Sequence, residues 1–352
     1  MTVDPEGARY RAGDSGGHYE SWFLRGNHPS RPLAFWIRYT VTAPKGRPED
    51  TIAELFAIAF DGELMRHVAV REVVPIRSTS FGVGALDVRI DTSHLSRERA
   101  TGRATSGGHT LTWDLSFSGG GGPLLLLPEA LYAGGFPKAK ALVMRPGVSF
   151  GGRLEVDGEP WPVDGWVGST NHNWGVRHTD QYTWGQVAGF EGHPDTFLEL
   201  ATARIRVGPF LTPALTPIVL RHGGQEFRLN TIREGFRRAT LDGLRWSFKA
   251  KGQANGLRIS LSGVISASAS QVVTFDYKNP PGGTKLCINS KIARCELNLE
   301  FRRRPGEARL PANEIDGHKQ SLLSPSGAAF EVLVDDVATA AGLGITGLPT
   351  AL

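Results

Sequence analysis

Apolar and polar side chains alternate along most of this chain with a period of two, the signature of half-buried β-strands. In Thr110 to Ser118, Leu111, Trp113, Leu115 and Phe117 alternate with Thr112, Asp114 and Ser116. Leu257, Ile259 and Leu261 alternate with Arg258 and Ser260, and Phe35, Ile37, Tyr39 and Val41 mark one face of another run. Further strand-like runs lie near 19–25, 52–60, 64–74, 83–91, 140–150, 153–167, 182–190, 196–207, 217–221, 226–232, 244–250, 271–277, 285–301 and 328–334.

Tight-turn pairs punctuate these runs: Asp61-Gly62, Asp157-Gly158, Gly223-Gly224, Asp242-Gly243, Asn255-Gly256 and Pro281-Gly282-Gly283. Glycine after Asp or Asn supplies the positive φ that two-residue hairpin turns require. Helical periodicity is scarce. It predicts short helices near 93–99 and 126–132, and leaves the Ala/Gly-rich tail from Val337 weakly specified. So many antiparallel strands cannot lie in one open sheet without curling or splitting, and closure removes exposed edges. The expected fold class is all-β, with two consecutive antiparallel β-barrels meeting near 180–195. A single large sandwich or a propeller is the alternative, although no blade-length repeat is visible.

Composition narrows this further. At 352 residues and 40% hydrophobic, the chain can bury a sizeable core and is no disordered polymer. The 44 glycines and 22 prolines, without a triplet period, suit turn-rich β structure and exclude collagen. The net charge of +4 rests on 30 Arg and 9 Lys dispersed along the chain, the densest run being Arg302-Arg303-Arg304. Dispersed charge argues against a nucleic-acid partner. Cys287 and Cys295 form no metal motif, and His18, His28, His67 and His193 lack metal-ligand spacing, so no metal is expected. No secretory signal or membrane-spanning run is present, which points to a soluble, cytoplasmic protein without an integral membrane segment. Walker, G-x-S-x-G, HExxH and Rossmann patterns are missing, and no cofactor is expected.

The chemical signal concentrates between 165 and 207. On a strand, His172 and Trp174 of Gly168-Ser169-Thr170-Asn171-His172-Asn173-Trp174-Gly175 share a face, as do Tyr182, Trp184 and Gln186 of the next run. Together these rings would line a ligand pocket, or close a barrel core in the manner of any buried aromatic cluster. In the following run Glu199 shares a face with Phe197, Ala201, Ala203, Ile205 and Val207. A carboxyl on an apolar face is costly to ionise, and its raised pKa suits a general acid. The bland alternative pairs Glu199 with an arginine. Glu20 and Glu54, in similar apolar company, are candidates for buried pairing with an arginine such as Arg38 or with a histidine.

Two of these segments resemble a known family. Glu20-Ser21-Trp22-Phe23-Leu24 is similar to the Glu-x-Trp-aromatic opening of the AttH-like group. That group includes carotenoid 1,2-hydratases (hydroxyneurosporene synthases) and kievitone hydratase-like proteins, and more distantly tocopherol cyclase and fungal Diels–Alderases. His172-Asn173-Trp174-Gly175, followed by Tyr182 to Gln186, resembles its central His-x-Trp signature. The resemblance implies two consecutive lipocalin-like barrels: 17–187 and 188–335, between a flexible N-terminus (1–16) and a tail (336–352). It also implies a hydrophobic ligand held near the central motif. In the hydratase branch His172 and Trp174 match residues needed for adding water to an isolated alkene. That branch also carries a Tyr-x-Asp pair, for which Phe197-Leu198-Glu199 is the counterpart here; the acid is kept in type, and Phe197 lacks the hydroxyl.

The expected function is therefore a cofactor-independent hydratase or cyclase acting on a lipophilic isoprenoid or polyketide-like molecule. Glu199 would protonate an alkene, Trp174 and Trp184 would stabilise the cation, and His172 would hold water. Asn173, Tyr182, Trp184, Gln186, Phe197 and Trp22 would contact the ligand. A non-catalytic carrier of a hydrophobic small molecule is the alternative.

Overall fold

The computed structural model describes residues 4–231, 235–236, 239–254, 257–303 and 319–349. The expected Asn255-Gly256 turn and Arg304 lie outside the described residues. The first sheet runs through β1 (His18–Asn27), β2 (Leu33–Ala43), β3 (Ile52–Asp61), β4 (Arg66–Pro75), β5 (Thr79–Phe81), β6 (Asp87–Ile90), β7 (Ser93–Ser96), β8 (Arg99–Ser106), β9 (His109–Gly119), β10 (Leu124–Leu125), helix α1 (Ala130–Ala133), β11 (Ala139–Val156) and β12 (Glu159–Gly175). The second comprises β13 (Gln181–Phe190), β14 (His193–Arg204), the small hairpin β15 (Arg206–Val207) and β16 (Phe210–Leu211), which pairs separately, and β17 (Ile218–His222). It continues through β18 (Gln225–Leu229), β19 (Ala239–Asp242), β20 (Arg245–Ala254), β21 (Leu257–Ser266), β22 (Val273–Lys278), β23 (Thr284–Arg303) and β24 (Lys319–Val334), and helix α2 (Val337–Gly342) follows.

Both sheets are wound alike. In the first, the order is β4-β3-β2-β1-β12-β11-β9-β8-β7-β6-β5, so the first and last strands pair and the break falls after the fourth. In the second, the order β18-β17-β14-β13-β24-β23-β21-β20-β19 repeats the scheme, with β13 against β24 and the break again after the fourth main strand. The first break is bridged by Arg71 N–H donating to Ser106 Oγ at 2.9 Å and by Thr105 N–H donating to Glu72 Oε2 at 2.9 Å. Across the second, Leu229 packs over Gly252, where a Cβ would come within 2.2 Å of it. The fold is all-β, two consecutive lipocalin-like antiparallel barrels.

The strand patterns follow from these surroundings. Strand β9 alternates strictly, with Leu111, Trp113, Leu115 and Phe117 inside the first barrel and Asp114 and Ser116 outside. Strand β2 is buried at every position, because one face fills the barrel and the other packs against its neighbour. Trp36 of that outer face stacks on Phe275 of β22 at 5.4 Å, with Phe56, Cys287 and Leu333 alongside. There are thus two barrel cores and an apolar seam between them.

The helices differ from the sequence expectation. The segment 93–99, predicted helical, forms β7, whose short Ser-His-Leu-Ser alternation is finished by pairing with β6 and β8. Residues 182–190 belong to the second sheet, so the chain passes from one sheet to the other between Gly175 and Gln181. Ahead of β1, the Arg9 and Tyr10 N–H groups donate to Glu20, and the Arg9 guanidinium lies 3.6 Å from the Trp174 ring centroid. The weakly specified tail holds α2, capped by Asp336, which accepts from Thr339 N–H at 2.7 Å. No helix among the described residues is long and apolar enough to cross a membrane.

Candidate active site

A cavity of about 310 Å³ lies in the seam between the barrels. Its walls are the outer faces of both: Phe23, Trp36 and Arg38 from β1 and β2, Asn171 and Asn173 from β12, Tyr182 and Trp184 from β13, Glu199, Ala201 and Ala203 from β14, Tyr277 from β22 and Glu331 from β24. Leu126, Leu131, Phe136, Leu215 and Phe236 complete a largely apolar lining, with Phe136 and Phe236 exposed at its edge.

Strand alternation decides which candidate residues meet there. Trp184, Gln186 and Glu199 point into the seam because β13 and β14 turn Val187, Leu198 and Leu200 into the second barrel. Trp184 Nε1–H donates to Glu199 Oε1 at 2.8 Å, and Gln186 Nε2–H donates to Glu199 Oε2 at 2.9 Å. Gln186 also reaches Asn171 Oδ1 at 2.9 Å and accepts from Ser169 Oγ at 2.6 Å and Arg25 Nε at 2.7 Å. No ion pair engages Glu199 among the described residues. Burial pushes its carboxyl up, the Trp184 and Gln186 hydrogen bonds pull it back, and the balance is about 7.

His172, Trp174 and Trp22 form a cluster on the other face of β1 and β12, and His172 also lines the cavity. The His172 ring stacks on Trp22 at 4.9 Å, lies 4.9 Å from Trp174, and places Nε2 2.8 Å from Glu20 Oε1 and Nδ1 2.9 Å from the Pro5 carbonyl. Glu20 thus takes a histidine partner, while Glu54 takes Arg71. Burial raises Glu20, but hydrogen bonds from His172 and His18 outweigh it and hold the carboxyl at about 2. His172 adjoins the cavity wall, yet no hydrogen bond or ring contact joins it to Glu199 among the described residues. The reason is the two-residue period: His172 and Trp174 face the first barrel, so Asn171 and Asn173 face the seam. Asn173 accepts from Ser21 Oγ there. Gln186 lies behind the wall, and Phe197 packs with Leu124, Leu126, Val143 and Val219 beside the cavity.

Of the polar wall residues, Glu331, His178 and Tyr277 were not singled out in the sequence, and Arg38 only as a candidate partner of Glu20 or Glu54. Glu331 accepts from Lys291 Nζ at 2.8 Å, Asn289 Nδ2 at 2.9 Å and Tyr182 OH at 3.3 Å. Arg38 lies 4.1 Å from the Tyr277 ring centroid. His178 stacks between Tyr19 and Tyr277 at 4.0 and 5.4 Å and donates through Nε2 to the Lys278 carbonyl at 3.2 Å. Burial first, then the Arg38 charge, holds His178 down at about 3, so the ring is neutral with Nδ1 unprotonated. The legible signal was that Arg38 and Glu331 interrupt runs apolar on both faces, LAFWIRYTVTA and AAFEVLV, where no solvent face exists for them.

This arrangement offers one carboxyl poised near neutrality, indole and phenyl faces, and a water-poor chamber. No family model matches the sequence, and no curated protein does. Solved structures do match. A protein assigned as AttH from Nitrosomonas europaea aligns over 96% of this chain and 99% of its own, with a TM-score of 0.54 and 12% identity. Kievitone hydratase from Nectria haematococca aligns over 94% and 97%, with a TM-score of 0.52 and 12% identity. CghA, solved with Sch210972, aligns over 94% of each chain, with a TM-score of 0.55 and 13% identity. From end to end, then, the chain has the AttH-like fold.

Proposed function

We propose that the protein is a cofactor-independent hydratase or cyclase acting on a lipophilic, isoprenoid or polyketide-like small molecule in the inter-barrel cavity. The observation that carries this reading is Glu199: a buried carboxyl on an apolar wall, held by two N–H donors and no cation, and titrating near 7. Its proton passes to a substrate alkene, leaving a carbocation that the Trp184 and Trp36 faces stabilise. Water, or a hydroxyl of the substrate, then attacks the cation. The proton it loses returns to the Glu199 carboxylate, so acid and charge are both restored. Asn173, Tyr182 and Trp184 contact the substrate, and Gln186 positions the acid. His172, Trp174 and Trp22 support the wall from behind, and Phe197 packs its flank. The kinship in fold with kievitone hydratase fits this chemistry without fixing the substrate.

A carrier would use the same cavity, and its apolar lining favours that reading too. One experiment separates them. The protein is incubated with a panel of terpenoids and polyenes, and products are sought by mass spectrometry as a gain of one water or as an isomer. Turnover that falls by roughly 10²–10⁴ in Glu199→Gln, with binding retained, supports the enzyme. Binding without product, or turnover indifferent to that substitution, removes the mechanism.

A further inference from the structure

Arg38 is almost wholly buried, at 2% exposure, and lines the cavity. Its Nε has no hydrogen-bond partner, and no ion pair reaches the guanidinium among the described residues. A buried charge without a counter-charge is costly, and stacking on Tyr277 offsets only a fraction of that cost.

The neighbouring groups do not supply the missing anion. Glu331, on β24, is taken by Lys291 and Asn289. Glu199 is held by Trp184 and Gln186, with Arg25 behind them. Arg25 and Lys291 both have hydrogen-bond partners in the seam, whereas Arg38 has none at Nε and feels Glu331 only through space. Around Arg38 itself, burial keeps the Tyr182 and Tyr277 phenols and the Cys287 thiol protonated.

Resting on the reading of this cavity as the ligand site, we propose that Arg38 anchors an anionic head group, so that the ligand is an apolar body ending in a carboxylate. A guanidinium presents a planar fork of donors that matches two coplanar oxygens. Tyr277 beneath it fixes the plane of that fork. The ligand then brings the missing negative charge with it, and its apolar body extends past Phe23 and Trp184 toward Glu199.

Matched acids and esters test this with the intact chain. All-trans-retinoic acid and hexadecanoic acid are each compared with their methyl esters, with binding read from quenching of tryptophan fluorescence or from equilibrium dialysis. The acids should bind roughly 10- to 100-fold more tightly than the esters, the range expected of a charge-assisted hydrogen bond. Arg38→Met should abolish the preference for acid over ester. Equal affinity for acid and ester in the unmodified protein overturns the anchor while leaving the cavity reading intact, and it needs no variant to fold. A preference that survives in Arg38→Met overturns it as well. Failure of every acid and every ester to bind removes the cavity reading, and this inference falls with it.

Discussion

Arg25 and Glu199, both buried in the seam, do not touch: Gln186 stands between them, accepting from Arg25 Nε at 2.7 Å and donating to Glu199 Oε2 at 2.9 Å. The amide transmits the arginine's field without surrendering the carboxyl to an ion pair. Replacing Gln186 by Leu should raise the Glu199 titration above its value near 7, since a donor to the carboxylate is lost. It also strips a partner from Arg25, Ser169 and Asn171, so stability should fall by roughly 1–3 kcal/mol. Carbon-13 NMR of the glutamate carboxyls and urea denaturation measure the two effects.

Two of the buried carboxyls, Glu199 and Glu20, should give opposite pH signatures. Glu199 binds its proton more tightly when folded, so its contribution to stability is full below its ordinary value of 4.5 and lost as pH rises through about 7. The expected loss is roughly 3 kcal/mol across that window. Glu20, held at about 2, contributes above 4.5 and loses its contribution as pH falls toward 2. Denaturation midpoints at pH 5 and pH 8 should therefore diverge less in Glu199→Gln than in the unmodified protein. An equal divergence would contradict the buried, neutral-prone acid.

Trp184 bears on the same proton through its N–H. Trp184→Phe keeps an aromatic face but deletes the donor to Glu199 Oε1. If Glu199 is the general acid, turnover falls as it ionises above about 7, and in Trp184→Phe that alkaline limb moves to higher pH. A pH–rate profile of both proteins checks this, and coincident limbs would exclude Glu199 as the titrating group.

His172 should behave as a structural partner of Glu20. Removing one member of a buried, hydrogen-bonded pair costs on the order of 3 kcal/mol. In His172→Ala, Glu20 retains Arg9 and Tyr10 N–H donors, but the contact with the Pro5 carbonyl is gone. Limited proteolysis should then cut within residues 4–16, while the Glu199 titration stays where it was. A shifted Glu199 titration would mean that the two clusters communicate.

The fold was legible where one face of a strand meets water. The alternation of Leu111, Trp113, Leu115 and Phe117 announced β9, and the Asp157-Gly158 turn announced the β11–β12 hairpin, where both residues take positive φ. The shared winding of the barrels was not legible, because pairing order depends on backbone ladders rather than on side-chain identity. Within the site, the Tyr182–Trp184–Gln186 face and the buried Glu199 followed from strand period alone. That His172 and Trp174 share one face of β12 followed from the same period, whereas which faces of different strands meet did not, since the period says nothing about pairing between strands. Arg38 was named only as a candidate partner of Glu20 or Glu54, and Glu331 not at all, because β2 and the end of β24 are buried on both sides, which erases the alternation that would have marked a seam-facing charge.

Glu331 sits on β24, which closes the second barrel against β13 and β23. During synthesis, Glu199 and Trp184 emerge from the ribosome well before this strand, and Arg38 earlier still. The chamber consequently lacks a wall until its last long strand has docked. The cavity therefore takes its final shape only when β24 has closed the second barrel.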